Sequence, residues 1–284
     1  MSTNNNKTIV LVVQKVNDCI YKDVVIDTLS DMPIKLIFGA TLDEFTKQLP
    51  ILDSSFHQKT TTPPAALPNK CMIVWAAGDP HLIIDLIDYY GINNICWVHS
   101  FAAGVDKIIP SILNSQYVNK ITLTNARGAF SSSLAEYSLM CILHFNKKVP
   151  ELERYQHDKI WRKFKMPIVK GKTVGFVGFG SIAQETAKVC KPLGMRILAL
   201  RNHVDGSGND LADEVLNAGV LEDKNKLFRD SDFIICSLPG TAETKHFCGS
   251  HEFCLMKPSA VFISIGRGVC VDEDALYVAL VSVI

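Results

Sequence analysis

Residues 173–201 read TVGFVGFGSIAQETAKVCKPLGMRILALR, and this stretch decides the fold of the chain. Its first five residues are mostly apolar and β-branched, which predicts a buried strand. A G-x-G-x-x-A turn runs from Gly178 to Ala183, and helical spacing of apolar residues then continues until Pro192 and Gly194. A second strand is predicted at residues 196–200. Strand, glycine turn, helix and strand together predict the first half of a dinucleotide-binding unit.

This chemistry requires small residues at fixed places in the turn. Gly178 permits the tight turn, Gly180 lets the backbone approach a pyrophosphate, and Ala183 keeps the helix close to the strand. The unpaired N–H groups and the positive dipole end of the helix attract the diphosphate. Glycine turns also join strands to helices for structural reasons alone. The flanking strands and helix favour the cofactor interpretation.

The end of the second strand bears on the choice of cofactor. An NAD site usually has Asp or Glu about 20 residues past the turn, where it binds the ribose 2′-hydroxyl. Here Arg201 occupies that position, followed by Asn202 and His203. A guanidinium pairs with a 2′-phosphate, which favours NADP over NAD. The alternative is an ordinary exposed arginine, with Asp205 reaching the ribose.

Composition limits the class of protein. The 284 residues, enough for one or two domains, contain 29 Lys and Arg and 29 Asp and Glu. A formal charge of zero predicts neither a nucleic-acid surface nor a polybasic membrane patch. The polar N-terminus has no signal-peptide character, and no apolar run reaches transmembrane length. The nine cysteines lack metal-site spacing and are expected to be reduced thiols. We therefore expect a cytoplasmic protein without a metal.

The N-terminal half alternates predicted strands and helices, which is typical of a parallel sheet covered on both faces. The strands are at residues 8–13, 34–38, 71–76, 96–99 and 120–124, the helices at 19–29, 42–49 and 80–88, and a proline-rich loop at 53–69. Residues 131–148 predict an amphipathic helix with a serine cap, whose apolar stripe suits a core or a subunit interface. Residues 149–166 are expected to be a linker.

Three further stretches end predicted strands. Residues 99–106, HSFAAGVD, offer backbone N–H groups to a carboxylate, or else form a tight turn capped by Asp106. Residues 232–239, DFIICSLP, end at the sheet edge that lines a ligand crevice, although a plain strand exit has the same pattern. Arg267 lies between two glycines after the strand at residues 261–265 and is aimed at that crevice, or forms a structural ion pair.

Together these motifs resemble the D-isomer-specific 2-hydroxyacid dehydrogenases, a family that includes glyoxylate and hydroxypyruvate reductases. The resemblance covers about residues 96–280 and rests on SFAAGVD, LTNARG, LAEYSL, GFGSIA, SLPGTAET and GRGVCVDEDAL. It implies an α/β fold, with a flavodoxin-like substrate domain at residues 1–120 and a Rossmann doubly wound NAD(P)-binding domain at residues 121–284. It further implies a homodimer and hydride transfer between NADP, or NAD, and a small 2-oxo or 2-hydroxy acid.

The resemblance also assigns roles to residues. The backbone at Ala103 and Gly104 would hold the substrate carboxylate, and Arg267 would bind it and polarise the carbonyl as charge develops on its oxygen. Cofactor contacts are implied for Gly178, Gly180, Ser181, Ile182, Arg201, Asn202, Leu238, Pro239, Thr244, Ile265 and Gly266.

The general acid that the family uses is a histidine in a late Pro-His motif, oriented by an upstream glutamate. Both lie downstream of the helix that begins at Asp272, and the 284 residues end within or just after that helix, so neither is present here. We therefore expect a cofactor domain truncated at its C-terminal end and impaired turnover. His99 is a weak substitute acid. The alternative function is a dinucleotide-binding sensor, scaffold or partner subunit without catalysis.

Overall fold

The computed structural model describes residues 8–14, 34–48 and 71–282. The chain divides into two units, Met1–Arg127 and Gly128–Ile284, so the division falls a few residues past the boundary placed at residue 120 from the sequence. The helix expected at residues 19–29 and the loop expected at 53–69 lie outside the described residues.

The first unit contains a five-stranded parallel sheet. Its strands are β1 (Thr8–Val13), β2 (Ile34–Gly39), β3 (Cys71–Trp75), β4 (Ile95–Ser100) and β5 (Leu123–Asn125). They pair in the order β2-β1-β3-β4-β5, which is the flavodoxin-like order. The α/β fold class predicted for this half is therefore confirmed, although β5 is shorter than expected.

Three helices of the first unit pack on one side of this sheet. They are α1 (Leu42–Gln48), α2 (His81–Tyr90) and α3 (Ile109–Leu113). Leu11 and Ile73 from the sheet and Leu86 from α2 are fully buried in one core. Each such side chain contributes roughly 1.5–3 kcal/mol through removal from water, which holds the strand ends of this unit in place.

The second unit contains another five-stranded parallel sheet. Its strands are β6 (Thr173–Val177), β7 (Arg196–Arg201), β8 (Glu214–Asn217), β9 (Phe233–Cys236) and β10 (Val261–Ser264). They pair in the order β10-β9-β6-β7-β8, so the chain winds outward in opposite directions from β6 and β9. Ligands of such sheets bind beyond the carboxyl ends of the strands at this switch point. The doubly wound fold predicted from the glycine turn is confirmed.

Six described helices belong to the second unit: α4 (Ser131–Asn146), α5 (Val149–His157), α6 (Ser181–Cys190), α7 (Leu221–Asp230), α8 (Ser250–Leu255) and α9 (Glu273–Ser282). The predicted serine cap of α4 is wrong, because Phe130 is the N-cap residue and the buried Ser131 hydroxyl has no hydrogen-bond partner. The predicted linker at residues 149–166 contains α5. No described helix is both long and apolar enough to cross a bilayer.

Candidate functional site

The glycine turn after β6 has the geometry that its sequence predicts. Gly178 has φ +87°, a left-handed conformation that glycine adopts without penalty. Its N–H donates to the carbonyl of Leu200 at 3.0 Å. A β-carbon at Gly178 would lie 2.9 Å from the side chain of Leu238. Both the backbone conformation and the close approach of Leu238 therefore require glycine at residue 178.

The start of α6 is open to a ligand. Gly180 is the N-cap residue of α6, no side chain caps the helix, and a β-carbon at Gly180 would have no atom within 4 Å. The N–H of Gln184 bonds back to the carbonyl of Gly180 at 2.9 Å, and the N–H groups that precede it have no intrahelical acceptor. Ser181 is exposed and Ile182 half-buried in this first turn. The open space at Gly180, the unpaired N–H donors and the dipole of α6 together suit the binding of a diphosphate.

The loop after β9 meets the glycine turn at the switch point. The Ser237 hydroxyl donates to the carbonyl of Gly178 at 3.1 Å. Ile265 and Gly266, which follow β10, donate their N–H groups to the carbonyl of Cys236 at 3.0 and 3.1 Å. The structure thus joins three stretches that are far apart in sequence.

Gly266 makes the closest backbone approach of this junction. A β-carbon there would lie 2.6 Å from the carbonyl oxygen and 2.9 Å from the nitrogen of Leu238. Residue 266 must therefore be glycine for β10 to end against the loop after β9.

Arg267 leaves the sheet from this junction. Its side chain is exposed, and a β-carbon on Gly240 would lie 3.2 Å from the arginine Cγ, so the aliphatic stem lies along that loop. The Arg267 carbonyl accepts the N–H of Cys270 at 3.0 Å, which begins a short 3₁₀ turn. The guanidinium of Arg267 therefore lies at the rim of the switch point.

The hydroxyl of Thr244 stabilises the loop after β9. Its hydroxyl donates to the carbonyl of Pro239 at 2.6 Å and accepts the N–H of Thr241 at 2.9 Å. The Cys270 thiol also donates to the Pro239 carbonyl, at 3.2 Å, and burial raises the pKa of that thiol. Thr244 therefore fixes Pro239, and its predicted contact with the cofactor stays a prediction.

Arg201 is anchored to the loop that follows β7. Its Nη1 donates to the carbonyl of Ser207 and to Oδ1 of Asn209, both at 3.0 Å, while Asn202 is exposed. Gln184, on α6, donates to the same Ser207 carbonyl at 2.9 Å and to the Phe179 carbonyl at 3.1 Å. Gln184 thus ties the glycine turn to the Arg201 loop, and its place in the sequence gave no signal of this.

The predicted substrate loop of the first unit is held by side chains on both sides. The Ser100 hydroxyl is buried and bonds to both backbone groups of Ala102, at 3.1 and 3.2 Å. Asn125, at the end of β5, donates its amide to the Ala103 carbonyl at 2.6 Å. The carbonyl of Ala103 is therefore directed to Asn125, in a loop that continues into Gly104. The sequence analysis missed Asn125, although its position at a strand end is a usable signal.

His99 lies within β4 and bonds across the sheet. Its Nδ1 is 2.8 Å from the hydroxyl of Thr124 on β5. Partial burial lowers the pKa of this imidazole below its usual value. A ring that is mostly neutral at pH 7 and already hydrogen-bonded makes a poor proton donor.

His246 is a second histidine, which the sequence did not single out. It adopts a left-handed φ of +50°, and its N–H donates to the carbonyl of Val269 at 2.8 Å. Its Nδ1 is 3.8 Å from a carboxylate oxygen of Asp272. A cavity of about 350 Å³ lies between His246 and residues 268–274. This histidine–carboxylate pair therefore joins the loop after β9, which contains His246, to the residues that follow Arg267. Among the described residues no cluster of three or more His, Cys, Asp or Glu could hold a metal ion.

Comparison with known proteins agrees with this geometry. Residues 139–283 match the family described as D-isomer specific 2-hydroxyacid dehydrogenase, NAD binding domain. The glyoxylate reductase of Thermococcus litoralis is 31% identical over 211 residues, covering 70% of this chain and 61% of that protein. The hydroxypyruvate reductase of Thermotoga maritima is 32% identical over 166 residues, covering 57% of this chain and 51% of that protein.

The fold is shared with solved structures. A D-isomer specific 2-hydroxyacid dehydrogenase family protein from Aeromonas salmonicida superposes with a TM-score of 0.71 at 24% identity, covering 98% of this chain and 78% of that one. The first curated relatives are matched over only 30 to 61% of their own lengths.

Proposed function

Because the chain belongs to the D-isomer-specific 2-hydroxyacid dehydrogenase family, we propose that it reduces a small 2-oxo acid, such as glyoxylate or hydroxypyruvate, with a nicotinamide dinucleotide. One observation carries the proposal. The glycine turn, the loop at Leu238 and the backbone of Gly266 converge at the switch point, and Arg267 is the next residue of the chain. The proposed cofactor site and a carboxylate-binding guanidinium would therefore lie at the same edge of the sheet.

Arg267 has the chemistry that a 2-oxo acid requires. Its planar guanidinium can bind the C1 carboxylate through two parallel hydrogen bonds. The same positive charge stabilises negative charge that develops on the carbonyl oxygen during reduction. In the first unit, the family resemblance implies a carboxylate contact for the backbone at Ala103 and Gly104, in a loop that Ser100 and Asn125 hold.

The cofactor would be held by groups already in place. The N–H groups at Ser181 and Ile182 and the open space at Gly180 suit the diphosphate. The side chains at Leu238 and Ile265 would flank the nicotinamide, which supplies the hydride when bound. We propose a preference for NADP, because Arg201 takes the place of the usual carboxylate at the end of β7. NAD is the alternative, with Asp205 on the ribose.

Reduction requires a group that delivers a proton to the carbonyl oxygen, and two histidines are compared as donors. His99 has a lowered pKa and is hydrogen-bonded to Thr124, whereas Nδ1 of His246 lies 3.8 Å from a carboxylate oxygen of Asp272. Because the ring of His99 is already hydrogen-bonded and has a lowered pKa, we propose His246 as the better donor of the two.

The second candidate function is a dinucleotide-binding module without catalysis. The lowered pKa of His99 and its hydrogen bond to Thr124 favour it, since hydride transfer to a carbonyl needs a proton at the oxygen. The retained Arg267 favours the enzyme, because cofactor binding alone does not use a carboxylate-binding group.

The test is NADPH oxidation in the presence of glyoxylate or hydroxypyruvate, compared for the native chain and Arg267→Ala. Loss of the guanidinium should lower kcat/KM by roughly 10²–10³, the usual effect of removing an oxyanion-stabilising donor. NADPH binding measured by calorimetry should be unchanged. Lys245→Ala, which removes another exposed cation of the same unit, is the control and should leave turnover unaffected. NADPH binding with no turnover in the native chain would favour the binding module.

We also propose a homodimer in a reducing compartment such as the cytoplasm. Tyr137, Met140 and Phe145 on α4 are each 52% exposed, which is a large apolar surface for one helix. Met140→Glu should shift the mass measured by light scattering to that of a monomer. The buried thiols of Cys190 and Cys248 are consistent with the reducing compartment.

A further inference from the structure

Two side chains hold consecutive peptide groups of the glycine turn in fixed orientations. The Ser237 hydroxyl donates to the carbonyl of Gly178 at 3.1 Å. Nε2 of Gln184 donates to the next carbonyl, that of Phe179, also at 3.1 Å. A trans peptide group is planar, so its N–H points away from the direction of its carbonyl. These two bonds therefore set the directions in which the N–H groups of Phe179 and Gly180 point.

The amide of Gln184 acts on two loops at once. Besides the carbonyl of Phe179, its Nε2 donates to the carbonyl of Ser207 at 2.9 Å, in the loop that follows β7. Because both partners are carbonyls, the nitrogen and not the oxygen of the amide must face them. A β-carbon at Gly208 would lie 2.5 Å from Cδ of Gln184, so the side chain is packed against this loop. The orientation of the amide is therefore fixed by its surroundings.

The peptide group between Phe179 and Gly180 could flip if this bond were absent. A flip changes the φ of the following residue by about 180°. Gly180 has φ −86°, and glycine adopts the resulting positive φ about as readily. A β-carbon at Gly180 would have no atom within 4 Å, so the backbone there is not confined by neighbours. After a flip, the carbonyl oxygen of Phe179 would point where the N–H of Gly180 now points.

The preceding peptide group, between Gly178 and Phe179, resists a flip by itself. A flip there would give Phe179 a positive φ, which is unfavourable for a residue with a side chain. Phe179 is also buried, and its ring packs against that of Phe176 with centroids 5.6 Å apart. The bond from Ser237 is therefore less necessary for the orientation of the turn than the bond from Gln184.

We propose that Gln184 is a positioning residue for dinucleotide binding, which keeps the N–H of Gly180 and not the carbonyl oxygen of Phe179 directed at the diphosphate. Since α6 begins at Ser181, the N–H of Gly180 has no acceptor within that helix and can donate to an anion. A carbonyl oxygen in its place would repel the diphosphate. The inference rests on the cofactor site of the proposed function, but it does not require turnover.

Calorimetric titration of the full chain with NADPH and with NADH tests this role. Gln184→Met keeps a side chain of similar length and removes both hydrogen bonds. Both Kd values should rise about fivefold to thirtyfold, by the same factor, because the diphosphate is common to the two cofactors. The number of cofactor molecules bound per chain should not change. A merely structural role would do the reverse, since partial unfolding lowers that number and leaves the Kd unchanged.

Two further variants serve as controls. Ser237→Ala removes the bond to Gly178, but Phe179 still resists a flip, so the Kd should rise by less than about threefold. Gln48→Met is the matched control in the first unit. Nε2 of Gln48 also donates to two backbone carbonyls, those of Phe38 and Glu44, at 2.9 and 3.0 Å. This control should leave both Kd values unchanged.

Three outcomes would overturn the inference. The first is a Kd in Gln184→Met within twofold of the native value. The second is an effect of Ser237→Ala as large as that of Gln184→Met, because a flip would then not be the cause. The third is a rise in Kd for NADPH alone, which would assign Gln184 to the Arg201 loop only.

The inference and the proposed function can fail separately. A native chain that binds NADPH without oxidising it, together with the expected rise in Kd for Gln184→Met, would support the positioning role and refute the reductase. A native chain that oxidises NADPH with glyoxylate, together with an unchanged Kd in Gln184→Met, would support the reductase and refute the positioning role.

Discussion

Replacing Gly180 by alanine should weaken dinucleotide binding without weakening the fold. Gly180 has φ −86° and ψ −166°, an extended conformation that alanine adopts without strain. A β-carbon there has no neighbour within 4 Å. The added methyl group therefore has space in the protein alone and conflicts only with a ligand that approaches the start of α6.

The expected changes in Tm and Kd follow from the extended backbone and the open space at Gly180. Replacing glycine by alanine at a compatible site reduces the entropy of the unfolded chain and stabilises the folded protein by about 0.4–1 kcal/mol. In a domain of this size that raises the Tm by roughly 1–4 °C. A methyl group forced against the diphosphate costs about 1.4–3 kcal/mol of binding, by analogy with overpacking in a core. The Kd for the dinucleotide should therefore rise about tenfold to a hundredfold.

Calorimetric titration with NADPH measures the Kd, and thermal unfolding measures the Tm. Gly178→Ala is the contrasting variant, because φ +87° and the 2.9 Å approach to Leu238 should make it unstable by about 1–2 kcal/mol or more. A Gly180→Ala variant whose Kd is within twofold of the native value would show that the diphosphate does not approach Gly180, and would refute the assigned site.

Three other changes test separate parts of the structure. Gly266→Ala should lower the free energy of unfolding by about 1–3 kcal/mol in a denaturant titration, because its β-carbon would lie 2.6 Å from the Leu238 oxygen; native stability would contradict that close approach. Arg201→Gln should raise the Kd for NADPH about tenfold or more, with little effect on NADH, through loss of a charged hydrogen bond. Asn209→Ala loosens the same loop but keeps the charge of Arg201, so it should change the Kd for NADPH and for NADH equally. If Arg201→Gln also changed the two Kd values equally, Arg201 would not bind the 2′-phosphate. Since the pKa of His99 is lowered in the folded chain, the unfolded chain binds more protons below about pH 6.5, and stability should fall as pH falls through that range. His99→Asn should reduce this fall in pH-dependent unfolding, and an unchanged pH profile would assign it to another group.

The sequence predicted the second unit well because its local signals agree with one another. The buried strand at residues 173–177, the turn at Gly178 and the helix that ends at Gly194 each predict the same structure, and the structure has all of them. The short strand β8 and the helix α7 were missed, because β8 has only four residues and α7 carries many charges. The helix start at Ser131 was predicted, but its N-cap residue, Phe130, was not, since a serine is the commoner N-cap residue.

The candidate site was predicted in part. Positions required by backbone geometry, such as Gly178 and Gly266, could be found because only glycine fits there. The sequence did not predict that the hydroxyl of Thr244 fixes its own loop by donating to the carbonyl of Pro239. Gln184 and Asn125 were missed, because their roles are hydrogen bonds to backbone carbonyls distant in sequence. Such contacts depend on tertiary structure and leave no periodic pattern in the sequence.

The most direct test of the account is the fate of the transferred hydrogen. The protein is incubated with glyoxylate and NADPH that carries deuterium at either face of the nicotinamide C4, and the glycolate formed is examined by mass spectrometry. The account predicts deuterium at C2 of glycolate from one of the two faces only, even if turnover is slow, and loss of that label in Arg267→Ala. Unlabelled glycolate, or none, from a protein that binds NADPH would contradict hydride transfer and leave a dinucleotide-binding module.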